Sequence, residues 1–301
     1  MRTGSGWRDV PEGYGSWSTS YDRLNAWSKA GVFQGLMDAL FAEAASRGQV
    51  GLELGSVDST IARAHHESAG LAITGETSDA SEQALTEETG LCRTISRRYC
   101  EWYGAGRHTR CGRPGPVAGC GSCRRTATPQ ARAAAARLGR SRGGGLSSKV
   151  HAAVDARGLP LAFVLTAGQA ADCRQFIPVL DKIQVPRAGR RPRTRPDAVA
   201  ADKANSSKAN RAYLRRRRIT GSSRRRPISR GNRKKKGSAG GRPVDFDPDR
   251  YRQRNTVERC FQKIKTWRGL TTRYYKSPES YEAGPHLRGS IMWLKHLSST
   301  T

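Results

Sequence analysis

No apolar run among the 301 residues approaches the roughly 18 residues that a membrane-spanning helix needs. Nor does an apolar core follow Met1, as an export signal would require. The expectation is a cytoplasmic protein without a membrane partner. Acidic residues are scarce, at 25 Asp+Glu against 54 Lys+Arg, which leaves a formal charge of +29. No lysine occurs between Lys29 and Lys149. The seven cysteines are an odd number, and with no export signal they argue against a disulfide framework. At 100–200 residues per domain the length allows one large domain or two smaller ones.

The charge is unevenly spread. Residues 1–90 hold 6 basic and 13 acidic side chains, whereas 91–301 hold 48 and 12. Residues 187–236 alone hold 20 basic and 2 acidic ones. Charge of this kind identifies no fold, but it calls for a polyanionic partner, of which nucleic acid is the commonest. The plainer alternative is a solvated basic surface.

Cys120-x-x-Cys123, with Cys111 upstream and His108 nearby, has the ligand types of a zinc site. Structural zinc usually pairs two orderly knuckles, and here the second knuckle and the nearby His are poorly placed, so the spacing argues against zinc. Across 75–138 hydrophobic periodicity is lost, and Arg, Gly, Ala, Cys and Thr crowd the chain. One reading is a disordered or inserted linker. A sharper one is GC-rich DNA translated out of its ancestral frame, and translating the other two frames would decide between them.

Elsewhere the pattern is regular. Tyr21, Leu24, Trp27, Phe33, Leu36, Met37, Leu40 and Phe41 recur at mostly three- and four-residue steps, interrupted at Ala30-Gly31. That predicts a helix, a tight turn and a second helix, either a partial helix-turn-helix-like region over 1–48 or a plain packing hairpin. Strands are expected at Leu52–Ile61, Lys149–Asp155, Leu159–Thr166 and Asp197–Ala201. Helices are expected over Asp172–Ile183, with Asp172 as cap and Pro178 near its regular start, and over Ser206–Arg218. Asp247 should cap a long helix, with Pro248 in its first position, running to about Trp267. This order suggests an α/β fold, a mixed sheet layered with helices, over 49–296, with 297–301 as a tail.

Asp58 and Asp202 stand at or near strand ends, and Glu258 lies in the last of these helices. Carboxylates gathered from separate elements make a hard-oxygen site for Mg²⁺ or Mn²⁺, and two such ions suit phosphoryl transfer. Each acid alone has a dull alternative: a turn former for the aspartates, a surface ion pair for the glutamate. Tyr251, Arg254, Glu258 and Lys265 are spaced by 3, 4 and 7 residues. On one continuous helix they would share a face. Ordinary i,i+4 pairing is the alternative reading.

Tyr-x2-Arg-x3-Glu-x6-Lys, formed by those four residues, resembles the YREK signature of DDE transposases of bacterial insertion sequences. The likeness extends to Trp7–Pro11, Val57–Thr60 with Ala64-His65, and Gly139–Gly144. It continues through Leu161–Gln169, Gln175–Ile183, Arg195–Lys203, Gly237–Pro243 and Arg254–Cys260, so most of 1–70 and 139–296 is covered. The resemblance implies an RNase H-like fold with Asp58, Asp202 and Glu258 as the metal-holding triad. It makes Tyr251, Arg254 and Lys265 supporting residues near the scissile phosphate. Arg254, Arg259, Lys263, Lys265 and Lys203 become DNA contacts. The implied chemistry is metal-dependent cleavage by water, then attack of the freed 3′-OH on target DNA, with no covalent protein intermediate. Double-stranded DNA is the implied partner, a homodimer the usual working form and the bacterial nucleoid the usual location.

Three departures accompany the likeness. Relatives carry further helices before the Trp7 motif, so a shortened DNA-recognition region is expected. The segment 75–138 is longer than the usual link between the first two strands. After Ile219 the family continues with an apolar strand, where this chain reads Thr220–Pro227 with three consecutive arginines, and 220–231 invites the same out-of-frame reading. A non-catalytic DNA-binding remnant and a metal-dependent nuclease of the same fold are the alternatives to an active transposase.

Overall fold

Apolar and β-branched residues concentrate in segments that build one central sheet. A computed structural model describes residues 2–69, 139–140, 146–187, 190–223, 231, 235, 237–240 and 247–300. The expectations for 75–138, for Cys111, Cys120 and Cys123, and for Arg224–Arg230 lie outside the described residues.

β1 (Leu54–Ala64) pairs antiparallel with β3 (Leu146–Val154), which pairs antiparallel with β4 (Pro160–Ala167) across the expected hairpin. On its other edge β1 runs parallel to β7 (Ala198–Ala201), and β7 runs parallel to β8 (Thr220–Ser222). Short segments β2 (Gly139–Arg140) and β9 (Thr272–Arg273) extend the sheet beside β3 and β1. β5 (Val185–Arg187) and β6 (Arg190–Arg193) form a separate two-stranded ribbon that the sequence pattern did not announce. The expected mixed sheet is therefore present. The strand that the family carries after Ile219 is present as Thr220–Ser222, built from small residues in place of apolar ones. Small residues suit that edge, since a Cβ on Gly221 would lie 2.9 Å from the Leu214 side chain.

Helices cover the sheet. α1 (Trp17–Lys29) and α2 (Val32–Ser46) are joined by the expected turn, where Gly31 takes a left-handed φ of 72° that favours glycine. α2 buries Phe33, Met37, Phe41 and Ala44, whereas Tyr21, Trp27 and Leu36 remain exposed. α3 (His66–Ala69) is a single turn after β1. α4 (Asp172–Asp181) begins at Asp172 and continues through Pro178, so its regular part is not delayed to the proline. α5 (Lys208–Arg216) starts at Ser207, whose side chain accepts the Asn210 N–H.

The expected long helix is two. α6 (Pro248–Arg252) carries the Asp247 cap and the proline, and α7 (Asn255–Lys265) follows a break at Gln253 and Arg254. After the turn α8 (Arg268–Thr271), α9 (Pro278–Ser299) closes the chain. Leu297 is buried within α9, so residues 297–299 are helix and not tail.

The N-terminal helices have no separate core. Met37 and Phe41 join the same apolar cluster as Phe163, Val257 and Trp293. Trp293 is fully buried, its ring centroid lies 5.3 Å from that of Phe41, and its Nε1 donates to the Pro160 carbonyl at 2.8 Å. Burial of such a side chain stabilises by about 1.5–3 kcal/mol, so α2 and α9 lock over the β3–β4 hairpin.

Candidate active site

Backbone register brings the two aspartates together. Val57 pairs with Ala201 across the parallel strands β1 and β7, and each is followed at once by an aspartate, Asp58 and Asp202. Successive side chains on a strand face opposite sides. Asp58 accordingly meets Arg254 beside α7, while its neighbour Ser59 meets α4 on the far face.

Arg254, in the break before α7, ties the constellation. Its Nη1 donates to Asp58 Oδ2 at 3.1 Å and its Nη2 donates to Glu258 Oε1 at 2.5 Å. The guanidinium also lies over the Tyr251 ring, 5.8 Å from the centroid. Tyr251 is thus on a different helix from Glu258 and Lys265, and the cation–π contact joins it to the group in place of a shared helical face. Lys265 Nζ donates to the Ile61 carbonyl of β1 at 3.1 Å, and burial holds its ammonium below the usual lysine range. Asp58, Thr60, Glu258, Gln262 and Lys265 line an open cavity of about 550 Å³.

Burial pushes the Asp58 carboxyl above its ordinary value. The Ser59 N–H and Arg254 pull the other way, and the charges of Asp202 and Glu258 push it up again. Two further acids are therefore close enough to be felt. Among the described residues, however, no three His, Cys, Asp or Glu side chains converge as a preformed metal cage. The donor chemistry, three carboxylates with like charges acting on one of them, fits a hard divalent cation. Arg254 provides the counter-charge between Asp58 and Glu258.

Beneath Asp58 lies a polar network that sequence reading missed. Ser59 Oγ donates to Asp172 Oδ1 at 2.7 Å, and Lys149 Nζ meets the same oxygen at 3.1 Å and the Ala170 carbonyl at 2.8 Å. Asp172 does not cap α4, because its carboxylate is engaged here. Burial would raise that carboxyl, but the Ser59 and Lys149 bonds outweigh it and hold it below the ordinary value. His151, opposite Ser59 on β3, is pushed down to about 4 by burial and shares a 2.8 Å hydrogen bond with Thr166. Lys149 and His151, alternating ahead of the apolar run Ala152–Val154, were the available signal.

The predicted DNA contacts divide. Arg254 and Lys265 border the carboxylates, and Lys203 is exposed in the short turn Lys203–Asn205 directly after Asp202. Arg259 and Lys263 instead line a different cavity, with Arg157 and Gly158.

Comparison with known families gives two matches. Residues 51–282 match a model described as a transposase DDE domain, and residues 1–37 match a transposase model of the IS4/5 family. Comparisons with curated proteins and with solved structures gave no match. The mixed sheet flanked by helices agrees with the RNase H-like fold of the first family.

Proposed function

Because the chain belongs to the DDE-domain transposases of insertion sequences, we propose that it cuts transposon-end DNA and joins the freed 3′-OH to target DNA at Asp58, Asp202 and Glu258. The observation that carries this reading is the emergence of Asp58 and Asp202 side by side from paired parallel strands, with Glu258 linked to Asp58 through Arg254.

Asp58, Asp202 and Glu258 would hold the divalent ions, Mg²⁺ or Mn²⁺, two in number. When bound, such ions supply Lewis acidity that activates an attacking oxygen and offsets charge on a leaving one. The protein's own contribution is position and charge. Lys149 and Asp172 brace the strand beneath Asp58. Lys265 fixes α7 against β1 and carries its cation at the mouth of the cavity. Arg254 has a planar fork suited to either a carboxylate or a phosphate, so it can exchange Asp58 and Glu258 for the DNA backbone. Lys203 extends the basic border beyond Asp202.

A second reading, a DNA-binding protein that no longer cuts, draws on the absence of a preformed cage among the described residues. One experiment separates the readings. A labelled duplex bearing the element's terminal inverted repeat is incubated with the protein, Mg²⁺ or Mn²⁺, and a supercoiled target. Joined product supports the proposal, binding without cutting supports the second reading, and hydrolysis without joining would mean a nuclease.

A further inference from the structure

Three stripes run along α7. Val257, Cys260, Phe261 and Ile264 enter the core. Glu258, Gln262 and Lys265 line the carboxylate cavity. Arg259 and Lys263, one turn apart, border a second cavity of about 210 Å³. The tight turn after β3 closes that cavity with Arg157 and Gly158. Gly158 takes a φ of +82°, and a Cβ there would come within 3.2 Å of the Thr256 carbonyl, so a glycine lets the turn lie against the start of α7.

Several of the described cations are paired with an acid. Arg47, Arg193, Arg217, Arg250, Arg252 and Arg254 each meet a carboxylate. Among the described residues Arg259 and Lys263 meet none, and both are exposed. Arg157 spends its guanidinium on neutral acceptors, the Gln49 carbonyl at 2.9 Å and His296 Nε2 at 3.0 Å. Three positive side chains thus border this cavity, and the one acid close enough to act on Arg157, Asp155, is fully buried in the turn and does not line it. A tetrahedral oxyanion matches both the charge and the donors.

We infer that the cavity bounded by Arg157, Arg259 and Lys263 holds a phosphate of the DNA backbone, separate from the phosphate that reacts. The choice of DNA as the source of that phosphate rests on the transposase reading. Arg259 and Lys263 then serve to seat the duplex on the flank of α7 away from Glu258, and not to guide phosphates toward the carboxylates.

The test measures duplex binding by fluorescence anisotropy over a salt series, with chelator present so that no strand is cut. Each phosphate contact contributes a slope of about −0.9 to log K against log salt. The double variant Arg259→Gln/Lys263→Gln should lose about 1 to 2 from the slope and bind about tenfold or more weakly, as expected for lost charge-assisted bonds. Arg259→Lys/Lys263→Arg should keep the slope, and Lys276→Gln/Lys295→Gln, which removes equal charge elsewhere, should leave it unchanged. Equal slopes for the wild type and the first double variant would overturn the inference, as would an equal loss in the Lys276/Lys295 control or a wild type that binds no duplex. If the slope difference holds while wild type fails to cut with metal, the transposase reading falls and the phosphate site stands.

Discussion

Arg254 donates to Oδ2 of Asp58 at 3.1 Å across 196 positions of sequence, from a break between two helices to the middle of the sheet. The two side chains are only about one-fifth and one-quarter exposed, so this pair is screened less than a surface ion pair. It marks where the helical layer is fastened to the strand that carries the first aspartate.

Removing a carboxylate without changing its shape separates chemistry from binding. Asp58→Asn, Asp202→Asn and Glu258→Gln should each abolish metal-dependent cleavage in single-turnover assays while duplex affinity stays within a few-fold. Retained nicking in any one variant removes that residue from the site.

At the proposed metal site Arg254 and a divalent cation would compete for the same oxygens. Arg254→Ala should tighten Mn²⁺ binding in the absence of DNA by about tenfold, given ~1.5–3 kcal/mol for a charge-assisted bond, and should depress cleavage. Mn²⁺ titration followed by electron paramagnetic resonance reads the first effect. Unchanged or weaker Mn²⁺ binding would show that the guanidinium does not hold the carboxylates against the metal.

Trp293 joins the last helix to the hairpin and to α2. Trp293→Ala removes a fully buried ring and leaves the Pro160 carbonyl without its donor. A loss of about 3–5 kcal/mol is expected for a buried Trp→Ala change, seen as a lower urea midpoint. A loss below ~1 kcal/mol would mean that the helices at the two chain ends are not packed as one core.

Asp155 sets a pH dependence. It is fully buried in the turn that borders the Arg157 cavity, and burial pushes its carboxyl up to about 6 despite N–H bonds from Leu159, Gly51 and Arg157. The folded state therefore binds this proton more tightly than the unfolded state. Its stabilising effect is complete below about pH 4 and is lost as pH rises through 6. Asp155→Asn should gain stability relative to wild type by on the order of 2–3 kcal/mol between pH 4 and pH 7. Urea unfolding across that range checks this, and parallel pH profiles would contradict it.

Much of the sheet was legible because strand patterning survives in Val57–Thr60 and in the short apolar run before Asp202. Asp58, however, stands in the middle of β1 and not near a strand end, because pairing with β3 carries that strand on to Ala64. The helix break at Gln253–Arg254 was not legible. Neither proline nor glycine marks it. Gln253 and Arg254 keep right-handed helical dihedrals, and the interruption lies in the hydrogen bonds, which shorten to a three-residue step at Arg254, Thr256 and Val257. Asp172 illustrates the same limit. Its place at a helix start suggested a cap, but a buried lysine and a serine from other strands claim its oxygens. The β5–β6 ribbon was hidden by its arginines and prolines, which carry no alternation. Arg259 and Lys263 were recognised as basic, yet only the fold reveals that they point away from the carboxylates.

The three stripes of α7 impose a rule on insertions and deletions. A helix turns about 100° per residue. Loss or gain of one residue between Asn255 and Lys265 would therefore swing every later side chain by that angle, exchanging core, acid and base faces together. Substitutions can erode one of these surfaces at a time. A single-codon slip in this helix would disable all of them at once, so its eleven residues cannot drift in length without losing all three.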